Sequence, residues 1–227
     1  MSNFALKLVA IVSMLIDHIG YEFFPGQSVW RAIGRLAFPI FAFLIVEGYY
    51  HTHSKIEYLI RLGAFGIISE VPYDLLFRSS YIDLSTQNVY FTLFLGLLSI
   101  CIFEWFKDGG KYYWIIGLLF SLGLIIIAEL CRTDYGAYGV IMVMLFYILR
   151  SNKEILSLVF ILLVLSYVLL KPSDIMLYEI AALPIIYLYN GKKGYNSSIV
   201  KYGFYAFYPL HLLIIAYIGN NIPILFF

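Results

Sequence analysis

The strongest constraint on this chain is a succession of apolar runs, each close to the length that crosses a bilayer. A crossing α-helix takes about 20 mostly apolar residues. Read with that ruler, the sequence offers nine candidate spans, at about 5–23, 29–50, 56–77, 89–106, 112–131, 135–149, 154–170, 175–189 and 203–219. The 227 residues are 62% hydrophobic and 13% charged, far more apolar than a soluble domain of this size needs. The expected fold is therefore all-α: a polytopic integral-membrane helix bundle of about nine spans, with eight and ten as the neighbouring counts. No polar stretch is long enough for a second domain, so one transmembrane domain over 1–227 is expected. A net charge of +1 offers no argument for nucleic acid.

Two spans are weak. The sixth has about 15 uncharged residues, or roughly 22 Å of helix, and needs Asp134 and Arg150 to reach outward from its ends. The third holds Arg61, Glu70, Pro72 and Asp74, which predicts a cavity-lining or broken helix. The first span does not read as a cleaved signal peptide: its flank has only Lys7, its core holds Asp17 and His18, and no small-x-small site follows.

Lys and Arg set orientation. With the N-terminus in the cytoplasm, inner ends hold ten of these residues and outer ends five, which favours N-inside in the cytoplasmic (inner) cell membrane. Nine spans then put the C-terminus outside. The longest polar linkers are 78–88 and 190–201. No internal repeat is visible, which counts against inverted-repeat transporters.

Charge at membrane depth singles out the functional candidates. An ionised Asp or Arg at the centre of a span costs about 2.5–3.5 kcal/mol on insertion scales. Asp17 and His18 lie in the first span, and Arg31, Arg35 and Glu47 in the second. Beyond Lys7 and the loop-edge Glu22, Glu57, Glu104 and Lys201, the ionisable residues within the spans are Asp17, His18, Arg31, Arg35, Glu47, Arg61, Glu70, Asp74, Glu129, Glu179 and His211, eight of them before residue 75. That asymmetry places a polar cavity among the first three spans, with His211 as a contribution from the last.

Spacing refines this. Arg31 and Arg35 share a helix face, as do Glu70 and Asp74, with Pro72 between them to free backbone groups. The arginines either pair with those carboxylates to hold the bundle, or grip an anionic ligand while the carboxylates orient a His or an acceptor. Asp17 is about 100° from His18 on a helix and is free to face Arg31 or Arg35 instead. A His at this depth suits a general base or nucleophile. His51 and His53, at a loop edge, have poor metal spacing, and no metal site is expected. Cys101 and Cys131 lie in apolar segments as buried, inert thiols.

The blocks LKLVAIVSMLIDHIG, RAIGRLAFPIFAFLIVEGYYHT, RLGAFGIISEVPYDLLF, QNVYFTL and FYPLHLLIIAYI together resemble the TraX family, from about Leu6 to Ile218. That family is named for the membrane protein that acetylates the N-terminus of F-type conjugative pilin. It is distantly similar to the acyltransferase-3 membrane acetyltransferases, which carry a basic residue, ten residues and a His in their first span. Lys7 and His18 match that spacing. The resemblance implies acetyl transfer from acetyl-CoA, a co-substrate and not a bound cofactor. His18, with Asp17, is then the catalytic candidate, as base or acetyl carrier. Lys7, Arg31, Arg35, Glu47, Arg61, Glu70, Asp74, Asn88 and His211 fall on the family's polar positions as substrate-binding candidates. Arg61, at an inner end, is the better partner for a CoA phosphate, and Arg31 and Arg35 then face the acceptor. The implied partners are acetyl-CoA, the lipid bilayer and an acceptor that is a peptide, pilin or glycan. Two other readings remain: a non-catalytic membrane subunit of a pilus or secretion assembly, and a proton-coupled transporter using Asp17, His18, Glu70 and Asp74 as a relay.

Overall fold

A computed structural model describes residues 1–171 and 173–221, and those residues are built from helices. In order these are α1 (Asn3–Phe23), α2 (Ser28–Gly34), α3 (Ala37–His51), α4 (Lys55–Arg78), α5 (Val89–Lys107), α6 (Tyr113–Leu130), α7 (Gly136–Ile148) and α8 (Lys153–Leu170). A 3₁₀ segment, Asp174–Ala181, follows, then α9 (Ala182–Tyr187) and α10 (Ser198–Asn221). Among the described residues, six helical segments are long and apolar enough to cross a membrane: α1, the α2–α3 stretch Ser28–His51, α5, α6, α8 and Ser198–Gly219 of α10.

The other three expected spans are helical but differ in kind. α4 is continuous through Pro72 yet carries six charged residues, from Lys55 to Arg78. α7 has 13 residues, about 20 Å of helix, short of a full crossing. The 175–189 stretch is 3₁₀ and then a six-residue helix, because Pro184 has no N–H to continue an α ladder. The second span is also interrupted. The Arg35 N–H is shared between the carbonyls of Arg31 and Ala32, and α3 restarts at Ala37, placing Pro39 in its first turn, where a missing N–H is tolerated.

Contacts divide the chain into two compact units, Met1–Leu44 with Ile68–Asp83 and Ile161–Phe227, and Ile45–Ile67 with Leu84–Phe160. In the first unit, α1 buries Leu6, Ala10, Ser13, Met14, Asp17 and His18, a stripe at three- and four-residue steps. α2 packs against it, running back from a short turn. Two glycines let the backbones approach: a methyl on Gly20 would fall on the Trp30 side chain, and one on Gly34 on the Asp17 carboxylate. α1 also packs against α10, and the two run parallel. Phe4 and Lys7 meet Phe204, His18 meets Tyr208 and His211, and Glu22 lies against Gly219. Backbone bonds from Asn3 to Lys192 (2.8 Å) and Phe4 to Lys193 (3.2 Å) hold the start of α1 beside the approach to α10.

In the second unit, α5, α6 and α7 pack together. Small residues set the close approach: a methyl on Gly117 would meet the Phe103 backbone at 3.1 Å, and the Ser121 hydroxyl lies 3.3 Å from the Ser99 carbonyl. α6 leaves Leu119, Phe120 and Leu122 exposed, as a lipid-facing surface requires. Cys131 is exposed and Cys101 intermediate, not buried as expected. Cys131 caps the C-terminus of α6 and so falls outside the packed body of the helix.

Candidate functional site

The first unit assembles the chemistry. Asp17 and His18 are neighbours on α1, but they face different elements. Asp17 turns to α2 and its C-cap: its Oδ2 accepts from Arg31 Nη1 at 2.9 Å and Arg35 Nη2 at 2.8 Å. Asp17, not the Glu70 and Asp74 pair, is the carboxylate on which the two guanidiniums converge. The sequence left that choice open, and Gly34 decides it by admitting the carboxylate beside α2. Asp17 Oδ1 is buried without a hydrogen-bond partner among the described residues. Arg35 also reaches the Met176 sulfur at 3.7 Å, and Arg31 lies 5.3 Å over the Tyr21 ring.

Asp17 thus holds two guanidiniums on one carboxylate oxygen. The Arg31 side chain is 31% exposed and that of Arg35 13%, so Arg31 is the more accessible of the two. A planar guanidinium with free N–H groups suits carboxylate or phosphate.

His18 turns to α10. Its Nδ1 lies 2.7 Å from His211 Nε2, across 193 residues of sequence. The two rings are within 4° of parallel and their centroids are 4.9 Å apart. The gap between the N···N and centroid distances is what two ring radii occupy, so the imidazoles meet edge to edge rather than face to face. Aromatic neighbours hold them there. Phe77 stands edge-on to His18 at 5.4 Å, and Phe207 stacks on His211 at 4.7 Å. Both histidines are buried. Lys7 lies three helical turns before His18 on the same face of α1, with its ammonium 5.4 Å from the Phe204 ring.

Asp74 shares this unit. It is buried, and its Oδ2 accepts from the Asp83 N–H at 2.8 Å, which closes the loop after α4. Glu70, one turn before it, is half-buried.

The remaining predicted residues lie in the second unit. Glu47 is 2% exposed, and its Oε1 accepts from Arg150 Nη2 at 2.8 Å and Nε at 2.9 Å. The Arg150 guanidinium covers the Tyr50 ring at 4.5 Å. Sequence reasoning counted Arg150 as a loop charge and missed this pairing. The only available signal was its place at the end of a short span. Arg61 pairs with Glu57 at 3.5 Å and lies over Tyr58. Asn88 caps α5 by accepting from the Tyr90 N–H at 3.0 Å and donates to the Gly66 carbonyl at 2.8 Å. Of the ten candidates beyond His18, then, Asp17, Arg31, Arg35 and His211 are gathered around it, and Asn88 serves the backbone.

Several helices able to cross a bilayer, with buried charge in the first two, make this a multi-pass membrane protein. The family model described as TraX protein matches residues 2–219, and the chain belongs to that family. A probable fimbrial assembly protein, FimC of serogroup H1, from Dichelobacter nodosus is 30% identical, over 94% of each chain. An uncharacterised protein of Rickettsia prowazekii (strain Madrid E) is 27% identical, over 67% of this chain and 58% of its own. No solved structure matches.

Proposed function

We propose that this protein is an integral-membrane acetyltransferase that moves an acetyl group from acetyl-CoA to an amine or hydroxyl of an acceptor. The observation that carries this reading is the buried His18–His211 pair, set one residue along α1 from a carboxylate that binds two arginines. A hydrogen-bonded, oriented His inside a span has the form of a general base or a transient acyl carrier. The acceptor's nitrogen or oxygen bonds to the acetyl carbon, the C–S bond to CoA breaks, and His18 takes the acceptor's proton and passes it to the departing thiolate. Arg31, the more exposed of the two arginines, holds an anionic group of a substrate. The fimbrial assembly named for the Dichelobacter relative supports an acceptor among the subunits of a surface fibre, such as a peptide N-terminus. The same name favours a second reading, a membrane assembly component with no catalysis.

Purified protein in lipid vesicles, given acetyl-labelled CoA and a peptide with a free N-terminus, is expected to label that peptide and not its N-terminally blocked form. Label on neither the protein nor any amine or hydroxyl acceptor would sink the enzyme reading and leave the assembly component.

The proposed setting is the cytoplasmic membrane with the N-terminus inside, supported by ten inner against five outer Lys and Arg residues. The parallel run of α1 and α10 supports an odd number of crossings. Two parallel spans have an odd number of crossings between them, and the six long apolar helices alone put four between α1 and α10, so they do not satisfy the geometry. Nine, as an odd count, accords with that direction. Reporters fused to the two ends are expected on opposite sides of the membrane. Finding both on one side would remove the odd count.

A further inference from the structure

We propose that His211 is a positioning residue that fixes His18 as its Nδ1–H tautomer and thereby makes His18 Nε2 the reactive atom. The chemistry assigned to Nε2 rests on the acetyl-transfer reading above; the tautomer does not. The argument starts at the far end of the chain of bonds. His211 Nδ1 is 2.8 Å from the Phe207 carbonyl. A carbonyl oxygen only accepts, so His211 Nδ1 carries the proton in that bond. In a neutral imidazole the other nitrogen is then bare, so His211 Nε2 is an acceptor. Its partner at 2.7 Å, His18 Nδ1, must be the donor. His18 Nε2 is left with its lone pair, and among the described residues no hydrogen bond engages it.

The direction of the whole array is therefore set by one backbone oxygen on α10. A ring nitrogen whose opposite N–H is held by a fixed acceptor is oriented, the logic of a base held by a third group. When Nε2 takes the acceptor's proton, the charge on His18 is stabilised by the Nδ1–H bond to His211. If His18 instead carries the acetyl group, the new C–N bond forms at the same Nε2 and the C–S bond of the thioester breaks. Either route uses the atom that the His211 bond leaves open. The near-common plane of the two rings and the flanking Phe77 and Phe207 rings keep the bond straight.

The test is long-range proton–nitrogen NMR on protein with ¹⁵N-labelled imidazoles. The chain has four histidines, and His51→Gln and His53→Gln remove the other two signals. Wild-type His18 is expected as the Nδ1–H tautomer. His211→Leu removes the acceptor and is expected to release His18 to the Nε2–H form. His211→Gln offers a side-chain oxygen in place of Nε2 and is expected to keep Nδ1–H. In the transfer assay His211→Leu should lower kcat about 100-fold with KM for acetyl-CoA within about twofold, and His211→Gln should restore most of the rate. His18 found as Nε2–H in the wild type, or the same tautomer in wild type and His211→Leu, overturns the proposal. Should His211→Leu not fold, the wild-type and His211→Gln spectra still decide. A wild type that transfers no acetyl group but shows the expected tautomers fails the acetyl-transfer reading alone.

Discussion

His18→Ala is expected to lower acetyl transfer by about 10³-fold or more while the protein still folds. A positioned general base contributes about 10²–10⁴ in rate, and loss of an acyl carrier costs at least as much. The structural penalty is smaller. Alanine leaves His211 Nε2 buried without the donor that now lies 2.7 Å away, a cost of about 1–3 kcal/mol. The two effects separate cleanly in one preparation: label transfer reports the rate, and the denaturation midpoint in detergent reports the fold. His53→Ala, in the loop between α3 and α4, serves as the control and is expected to leave both unchanged. Full transfer by folded His18→Ala protein would remove His18 from the chemistry, and the acetyltransferase reading would lose its catalytic residue.

Asp17→Asn is expected to be the most destabilising of the polar substitutions. Breaking a buried ion pair from one side costs about 3–5 kcal/mol, because the partner charge stays in a medium that solvates it poorly. Here two guanidiniums lose one shared carboxylate oxygen, at 2.9 Å and 2.8 Å. Some of the cost is relieved because Arg31 is 31% exposed, so the lower half of that range is expected. Adding Arg35→Gln to Asp17→Asn should return part of the loss, since the double variant carries one fewer cation deprived of the Asp17 carboxylate. Glu57→Gln is the contrast. Its pair with Arg61 is also an arginine–carboxylate bridge, but the Glu57 side chain is 72% exposed, and the change is expected to stay within about 0.5 kcal/mol. Equal effects from Asp17→Asn and Glu57→Gln in a denaturation series would show that Asp17 does not hold α1 to α2.

The helices themselves were legible in the sequence, because a long apolar run in hydrocarbon has one way to satisfy its backbone within itself. Asp17, His18, Arg31, Arg35 and Glu47 were legible for the opposite reason: charge at that depth is costly enough to need a cause. The sequence was least informative where the chain leaves the regular ladder. The break at Arg35 and Leu36 and the 3₁₀ turn from Asp174 arise from competition among carbonyls for single N–H groups, beside prolines that a hydropathy window treats as ordinary residues. The exposed Cys131 was misplaced for a related reason, since a window does not mark the last residue of a helix.

Which polar groups meet was a matter for the tertiary structure. Arg31 had three carboxylates in reach on sequence grounds, and the space beside Gly34 selected Asp17. Glu47 found Arg150, 103 residues away, and His18 found His211, 193 residues away. The sequence determined that this chain folds as membrane-spanning helices with ionisable groups concentrated in its first third, since burial of backbone and of charge in hydrocarbon is governed by residue type and run length alone. The structure decided which His meets which, and which carboxylate binds the arginines, because those bonds depend on helix direction and backbone approach, and a distance of 2.7 Å across 193 residues leaves no trace in local spacing.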